Sequence, residues 1–241
     1  MTVPILAVTD EIDPRIHSAS VCERMGHVRF VVSCGDLPTS YLEFIADALR
    51  KPVYFVHGNH VDRLGRGCRP GSEHHPPGGI NLAGKVVRDA GTGLIMAGLP
   101  GSPRYSSDDG GQYDEWQIRL MIARMTPQLL WNKQRHGRAL DLLVTHAPPL
   151  GVNDRCDPAH RGFEAIRDFV ERFQPEYHLH GHIHLYDRTV PHVARLGQTE
   201  VVNVFPYRVL EVEAPVAVPS AAERGRLAVG EGTRRVAGHR G

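Results

Sequence analysis

Residues 178–184 read HLHGHIH, four imidazoles in seven positions around a central glycine. Neutral imidazole is the commonest metal ligand among side chains, so the stretch raises the question of partners elsewhere. His178, His180, His182 and His184 share one parity, and an unbroken strand would turn all four to one face. Gly181 argues against that, because glycine inside a strand pattern marks an end, a bulge or a close backbone approach. The reading is a strand over Tyr177–His180 that stops at Gly181, with His182 and His184 projecting from the loop beyond it. Four other apolar runs end in residues able to bind metal: VTD (8–10), SCGD (33–36), VHGNH (56–60) and LVTH (143–146). In layered α/β folds ligands collect beyond the carboxyl ends of the strands. Carboxylate, amide and imidazole groups delivered from five strand ends make a mixed N/O site without thiolate, which suits Mn, Fe, Zn or similar divalent ions.

The elements that must carry these ends alternate between short β-rich runs and helical stretches, the pattern of an α/β layered domain. Strands are expected at 5–8, 29–34, 53–56, 141–146 and 177–180, with helices at 18–25, 41–50 and 161–173. Leu42, Ile45, Ala46 and Leu49 have the helical spacing expected of the second of these. INLAGKVV (80–87) and GLIMAGL (93–99) look like paired strands with a turn near 89–92. Residues 112–130 read as a helix interrupted near Pro127. Two or three more strands follow, through 204–213. Residues 61–79 are rich in Gly, Pro, Arg and His and read as a surface loop, with His74 and His75 solvated. One domain is expected over 1–213. The Ala/Pro/Gly/Arg-rich residues 214–241 read as a flexible tail with too little apolar surface to offset its ordering entropy.

The chain has 241 residues, 41% of them hydrophobic, enough for one large core, and a formal net charge of +1. No global field recruits nucleic acid or anionic membrane, and no apolar run approaches the roughly 20 residues that span a bilayer. MTVPILAVTDEID at the N-terminus lacks a basic leader region and reads as a first strand, so a cytoplasmic protein is expected. Cys22, Cys34, Cys68 and Cys156 form no C-x-x-C pair, which points to free thiols in a reducing compartment.

Taken in order, Asp10, Gly35-Asp36, Gly58-Asn59-His60, Thr145-His146 and Gly181-His182-Ile183-His184 resemble the signature of the calcineurin-like metallophosphoesterases. The resemblance spans residues 10 to 184. It implies a four-layer α/β/β/α sandwich and a two-metal site that hydrolyses phosphate esters, mono- or diesters. Carried over by position, Asp36 would bridge the two ions. Asn59, His146 and His182 would complete the shell of one, and Asp10 and His184 would bind the other. His60 would sit beside the scissile phosphate as the catalytic group. The ions implied are Mn or Fe first, with Zn or Mg as further choices, and the substrate a small phosphorylated molecule.

Two positions depart from the family pattern. Where D-x-H is usual the chain has Asp10-Glu11-Ile12, and Asp13 is the natural substitute ligand. The acidic residue that usually follows GNH is displaced to Asp62. The missing histidine supports an alternative, a non-catalytic interaction module with an incomplete first metal site.

Outside the signature, Arg104 and Tyr105 in GSPRY are candidate substrate contacts, since arginine pairs phosphate bidentately. His178 and His180 are expected in the core or orienting a ligand. Asp154, Asp157 and His160 line the rim or cap a helix.

Overall fold

The computed structural model describes residues 2–60, 76, 78–107, 110–187 and 189–213. The expectations for the loop over 61–75, including Asp62, His74 and His75, and for the tail over 214–241 lie outside the described residues.

Two sheets pack face to face. The first contains β1 (Thr2–Val8), β2 (Phe30–Ser33), β3 (Val53–Phe55), β4 (Ile80–Asn81) and β13 (Tyr207–Glu213), in the order β13-β1-β2-β3-β4. β1 to β4 run parallel, and β13 closes one edge antiparallel to β1. The second contains β5 (Val86–Arg88), β6 (Ile95–Leu99), β9 (Leu142–Thr145), β10 (Tyr177–His180), β11 (Val193–Leu196) and β12 (Thr199–Asn203), in the order β11-β12-β10-β9-β6-β5. Its four central strands are parallel, with antiparallel edges. Between β6 and β9 in the chain, β7 (Ser102–Pro103) and β8 (Gln112–Tyr113) pair as a small separate ribbon.

Strand parity makes the layers. Val3, Ile5 and Ala7 of β1 join Phe30, Val32, Leu142, Val144 and Leu179 in a core between the sheets. Leu6 and Val8 turn the other way, onto α1 (Val21–Met25) and α2 (Thr39–Leu49). Ile95, Ala97 and Leu143 face α3 (Glu115–His136) and α4 (Glu164–Phe173) on the far side. These three apolar interfaces separate four layers, α/β/β/α.

Three local expectations are corrected. α1 starts at Val21 rather than residue 18, because the preceding residues are held in turns by bonds such as His17 N–H to Asp13 O, 2.8 Å. α3 continues through Pro127 to His136: the proline ring faces solvent while Met125 and Leu129 anchor the opposite side in the core, and residues 112–113, expected within the helix, form β8 ahead of it. The run 80–87 does not form one strand. Ile80–Asn81 belongs to the first sheet, the chain crosses at Ala83, and only Val86–Arg88 pairs with Ile95–Leu99.

Candidate metal centre

The five polar strand ends converge beyond the carboxyl edges of β1, β2, β3, β9 and β10. One carboxylate oxygen each from Asp10 and Asp36 and a ring nitrogen of His146 lie within 4.8 Å of one another. Backbone shape aims these groups: Asp10 (φ 60°), Asp36 (φ 53°) and His182 (φ 67°) all occupy the left-handed region. Non-glycine residues adopt it rarely, and such strain collects at functional sites. Two glycines leave the room this needs. A Cβ on Gly58 would sit 2.1 Å from Asp36 Oδ1, and one on Gly181 would sit 2.6 Å from Asp10 Oδ2. The glycines of GNH and GHIH are therefore clearance for ligand carboxylates.

His146 is fully buried, and its Nδ1–H donates to the Cys34 carbonyl at 2.9 Å. That bond turns Nε2 toward Asn59 Oδ1 at 2.8 Å and Asp36 Oδ2 at 3.2 Å. Three acceptors thus point at one spot, which only a proton or a cation can reconcile. Burial pulls the His146 imidazole down, but Asp36 and then Asp10 outweigh it and hold it at about 9. Burial raises the Asp36 carboxyl, and His146 leads the groups that bring it to about 2. Among the described residues no lysine or arginine pairs with Asp10 or Asp36. The donor set therefore fits a divalent ion, which would replace the proton that His146 otherwise has to hold.

The remaining ligand candidates surround this cluster. His182 donates from Nε2–H to the Ala159 carbonyl at 2.7 Å, leaving Nδ1 with its lone pair, the second-partner arrangement usual for ligating histidines. Its ring lies 4.9 Å from that of His146, and its backbone N–H donates to Asp10 Oδ2 at 2.9 Å. Burial brings its pKa to about 3, so it is a neutral base. His184 Nε2 approaches Asp10 Oδ1 at 3.6 Å, its Nδ1 bonds Tyr186 Oη at 3.2 Å, and its ring stacks on Phe205 at 4.7 Å. Asp10 holds its pKa up. His60 is half-buried: its backbone N–H donates to Asp36 Oδ1 at 2.9 Å and its ring lies beside Asn59 Nδ2 at 3.5 Å.

The structure brings Tyr105 to the same place, because Asn59 Nδ2–H donates to Tyr105 Oη at 3.1 Å. Arg104, its neighbour, donates to Asp114 Oδ1 at 3.2 Å and to the Gln112 carbonyl at 3.4 Å. Asp13 is also elsewhere engaged. Both of its oxygens accept from the Arg15 guanidinium, at 2.9 and 2.7 Å, which speaks against the ligand role expected for it. Ile12 is 44% exposed and contributes no ligand.

His178 and His180 are fully buried in β10 and point to the helix side of their sheet. Thr145 Oγ1–H donates to Ala147 O at 2.6 Å, so its oxygen accepts from His178 Nε2–H at 2.7 Å. His178 thus braces the segment that carries His146, whereas His180 donates to the Gly181 carbonyl at 3.0 Å and accepts from Asn153 Nδ2–H at 3.1 Å. Sequence reasoning missed Cys34 O, Ala159 O, Tyr186 and Phe205, whose contacts arise from loop closure and have no signature of spacing. Asp157 pairs with His160 at 2.7 Å, and the His160 ring lies 5.5 Å from His182, on the rim.

A four-layer sandwich with a buried carboxylate–imidazole cluster at its strand ends defines a metallophosphoesterase-type hydrolase fold. The chain belongs to the calcineurin-like phosphoesterase family, whose pattern matches residues 26–186. UPF0046 protein T07D4.2 of Caenorhabditis elegans is 33% identical over 96 residues, 38% of this chain and 21% of that protein. UPF0046 protein K07C11.7 of the same organism is 43% identical over 44 residues, 18% of this chain and 15% of that protein. The matched stretch spans about a fifth or less of the length of these curated relatives. The crystal structure of TT1561 of Thermus thermophilus superposes with a TM-score of 0.56 at 14% identity, over 85% of this chain and 89% of that one. Its likeness shows the fold. Among the described residues no helix is long and apolar enough to cross a membrane.

Proposed function

We propose that the protein hydrolyses small phosphate mono- or diesters at a two-metal centre, with Asp36 shared between the ions. The observation that carries this reading is the convergence of Asp10, Asp36 and His146 within 4.8 Å, three acceptors with no permanent cation among them. Asn59, His146 and His182 would complete one ion's ligands, and Asp10 and His184 would hold the other. When bound, the pair would activate water and neutralise the charge developing on the transferred phosphoryl group. Mn or Fe fits this set of hard oxygens and borderline nitrogens, with Zn or Mg as alternatives.

The chain's own residues do the rest. Cys34 O and Ala159 O hold the His146 and His182 rings in the tautomers that leave a lone pair facing the centre. His60, tethered through its backbone to Asp36, stands at the mouth to stabilise phosphoryl charge or to protonate the leaving oxygen. Tyr105 orients Asn59 and offers a phenol to the substrate. A reducing, cytoplasmic setting belongs to the same reading, supported by free Cys22, Cys34 and Cys156.

One observation favours a second reading. Exposed Ile12, where the family pattern has a ligand, suits a module that binds partners without turnover. Hydrolysis of bis-p-nitrophenyl phosphate and p-nitrophenyl phosphate by Mn-reconstituted protein separates the two. Turnover that a chelator abolishes supports the enzyme, and none with any of the four metals supports the module.

A further inference from the structure

Phe205 serves two places at once. It stacks on His184 at the metal centre, 4.7 Å between rings at 12°, and it also lines an open cavity of about 510 Å³. Leu185, the residue after His184, lines the same cavity, so the two sites are neighbours. Three basic side chains border it, and they differ in what they already hold. Arg15 gives its guanidinium to Asp13 and lies over the Tyr207 ring at 4.9 Å. His192 is pulled down by burial and then by Arg208, which disfavours its charged form. Arg208 has no carboxylate within ion-pair distance among the described residues, and its Nε–H is buried with no acceptor. The one acid on the wall, Asp187, already accepts from Thr189 N–H and Oγ1–H at 2.8 and 2.7 Å.

An arginine that lines a cavity and holds no carboxylate of its own can take an anionic acceptor from outside the chain. The guanidinium fork pairs bidentately with phosphate oxygens, the anion handled at the neighbouring centre in the reading above. The aromatic and aliphatic walls, Phe205, Tyr207 and Leu185, would lower the local dielectric and strengthen that pairing.

We infer that this cavity is an anion site for a phosphate-type group, held by Arg208. The group comes either from the substrate, as a second phosphate on the molecule whose first lies at the metals, or from free inorganic phosphate. The first source rests on the phosphoesterase reading above, whereas the anion site itself does not.

The test is calorimetric titration of inorganic sulfate into chelator-treated protein, which removes metal-bound anion from the signal. Wild type should bind at one site, Arg208→Gln should weaken binding about tenfold or more, and Arg208→Lys should recover part of it. Arg208→Met removes charge and unpaired donor together and serves if the glutamine variant does not fold. Equal sulfate affinity in wild type and the Gln and Met variants, or no binding by wild type, overturns the inference. Kinetics with a hexose monophosphate and a hexose bisphosphate then separate the sources. A kcat/KM loss confined to the bisphosphate in Arg208→Gln assigns the site to the substrate. Unchanged kinetics on both, with sulfate affinity lost, assigns it to the free anion. If wild-type protein hydrolyses no phosphate ester, the phosphoesterase reading fails and the sulfate titration still decides the site.

Discussion

Each end of the two packed sheets buries a pair of aspartates, and the two pairs are satisfied in opposite ways. At the end where β9 begins, Asp141 accepts from Ile95 N–H at 2.7 Å and from Arg138 Nε–H. Nearby, Asp89 accepts from Tyr54 Oη–H at 2.7 Å, Thr92 N–H at 2.6 Å and Thr92 Oγ1–H at 2.7 Å. At the end where β9 stops, Asp10 and Asp36 also accept protein N–H and O–H groups. Their remaining oxygens face the imidazoles of His184 and His146, with no lysine or arginine in reach among the described residues. A fully donated carboxylate is structural. A carboxylate whose free oxygen faces other acceptors is held for a cation, at a cost to the empty fold. The same residue type at opposite ends of the two packed sheets thus has two different roles, decided by partners.

The comparison breaks most sharply on substitution. Asp36→Asn should lower hydrolysis by at least about 100-fold, beyond the loss typical of a group that only orients a ligand. His146→Ala and His182→Ala should likewise abolish turnover and lower metal content measured by elemental analysis. Asp141→Asn should do the reverse. It should cost about 2 kcal/mol in urea unfolding, since Arg138 loses its buried partner, with turnover per folded molecule unchanged.

A smaller effect sharpens the contrast through pH. Burial raises the Asp89 carboxyl, and the donors from Tyr54 and Thr92 outweigh it, so its folded pKa lies below the ordinary carboxylate value. A depressed folded pKa gives stability that is fully present above about pH 4 and lost as pH falls through the folded value. Asp89→Asn should therefore cost about 1–2 kcal/mol at pH 7, and the gap from wild type should close in acid, as read by urea midpoints from pH 7 down to 3. If the gap stayed constant with pH, the donors to Asp89 would not discriminate its charged form. The smallest effect belongs to Asp13. With its oxygens on Arg15, Asp13→Ala should leave metal content and turnover unchanged and cost under about 1 kcal/mol. Loss of one ion per chain would restore it as a ligand.

The sequence made the metal end far more legible than the structural end. Gly-Asn-His and Gly-His-Ile-His each hold a ligand candidate and a clearance glycine within three or four residues, and Gly-Asp ends a strand in a carboxylate, so strand ends and chemistry could be read together. The layers followed from strand parity, which is local. Asp89 and Asp141 carried no such signature, because Tyr54 lies 35 residues from Asp89 and Ile95 lies 46 from Asp141. Asp13 was less legible for a related reason: spacing places a carboxylate near the gap left by Ile12, and only the structure shows both of its oxygens on Arg15. Pro127 misled because a proline's effect on a helix depends on which face it occupies, and that is set by packing.

The central claim is that the Asp10, Asp36 and His146 cluster is held open for divalent ions that make the protein a hydrolase. The direct measurement follows metal content and bis-p-nitrophenyl phosphate hydrolysis together as Mn is added back to chelator-stripped protein, in wild type and in Asp36→Asn. The account predicts no turnover in the stripped protein, activity rising in step with bound metal to two ions per chain in wild type, and neither full occupancy nor activity in Asp36→Asn. Full-rate hydrolysis by the stripped protein, or wild type that takes up no metal, would contradict it.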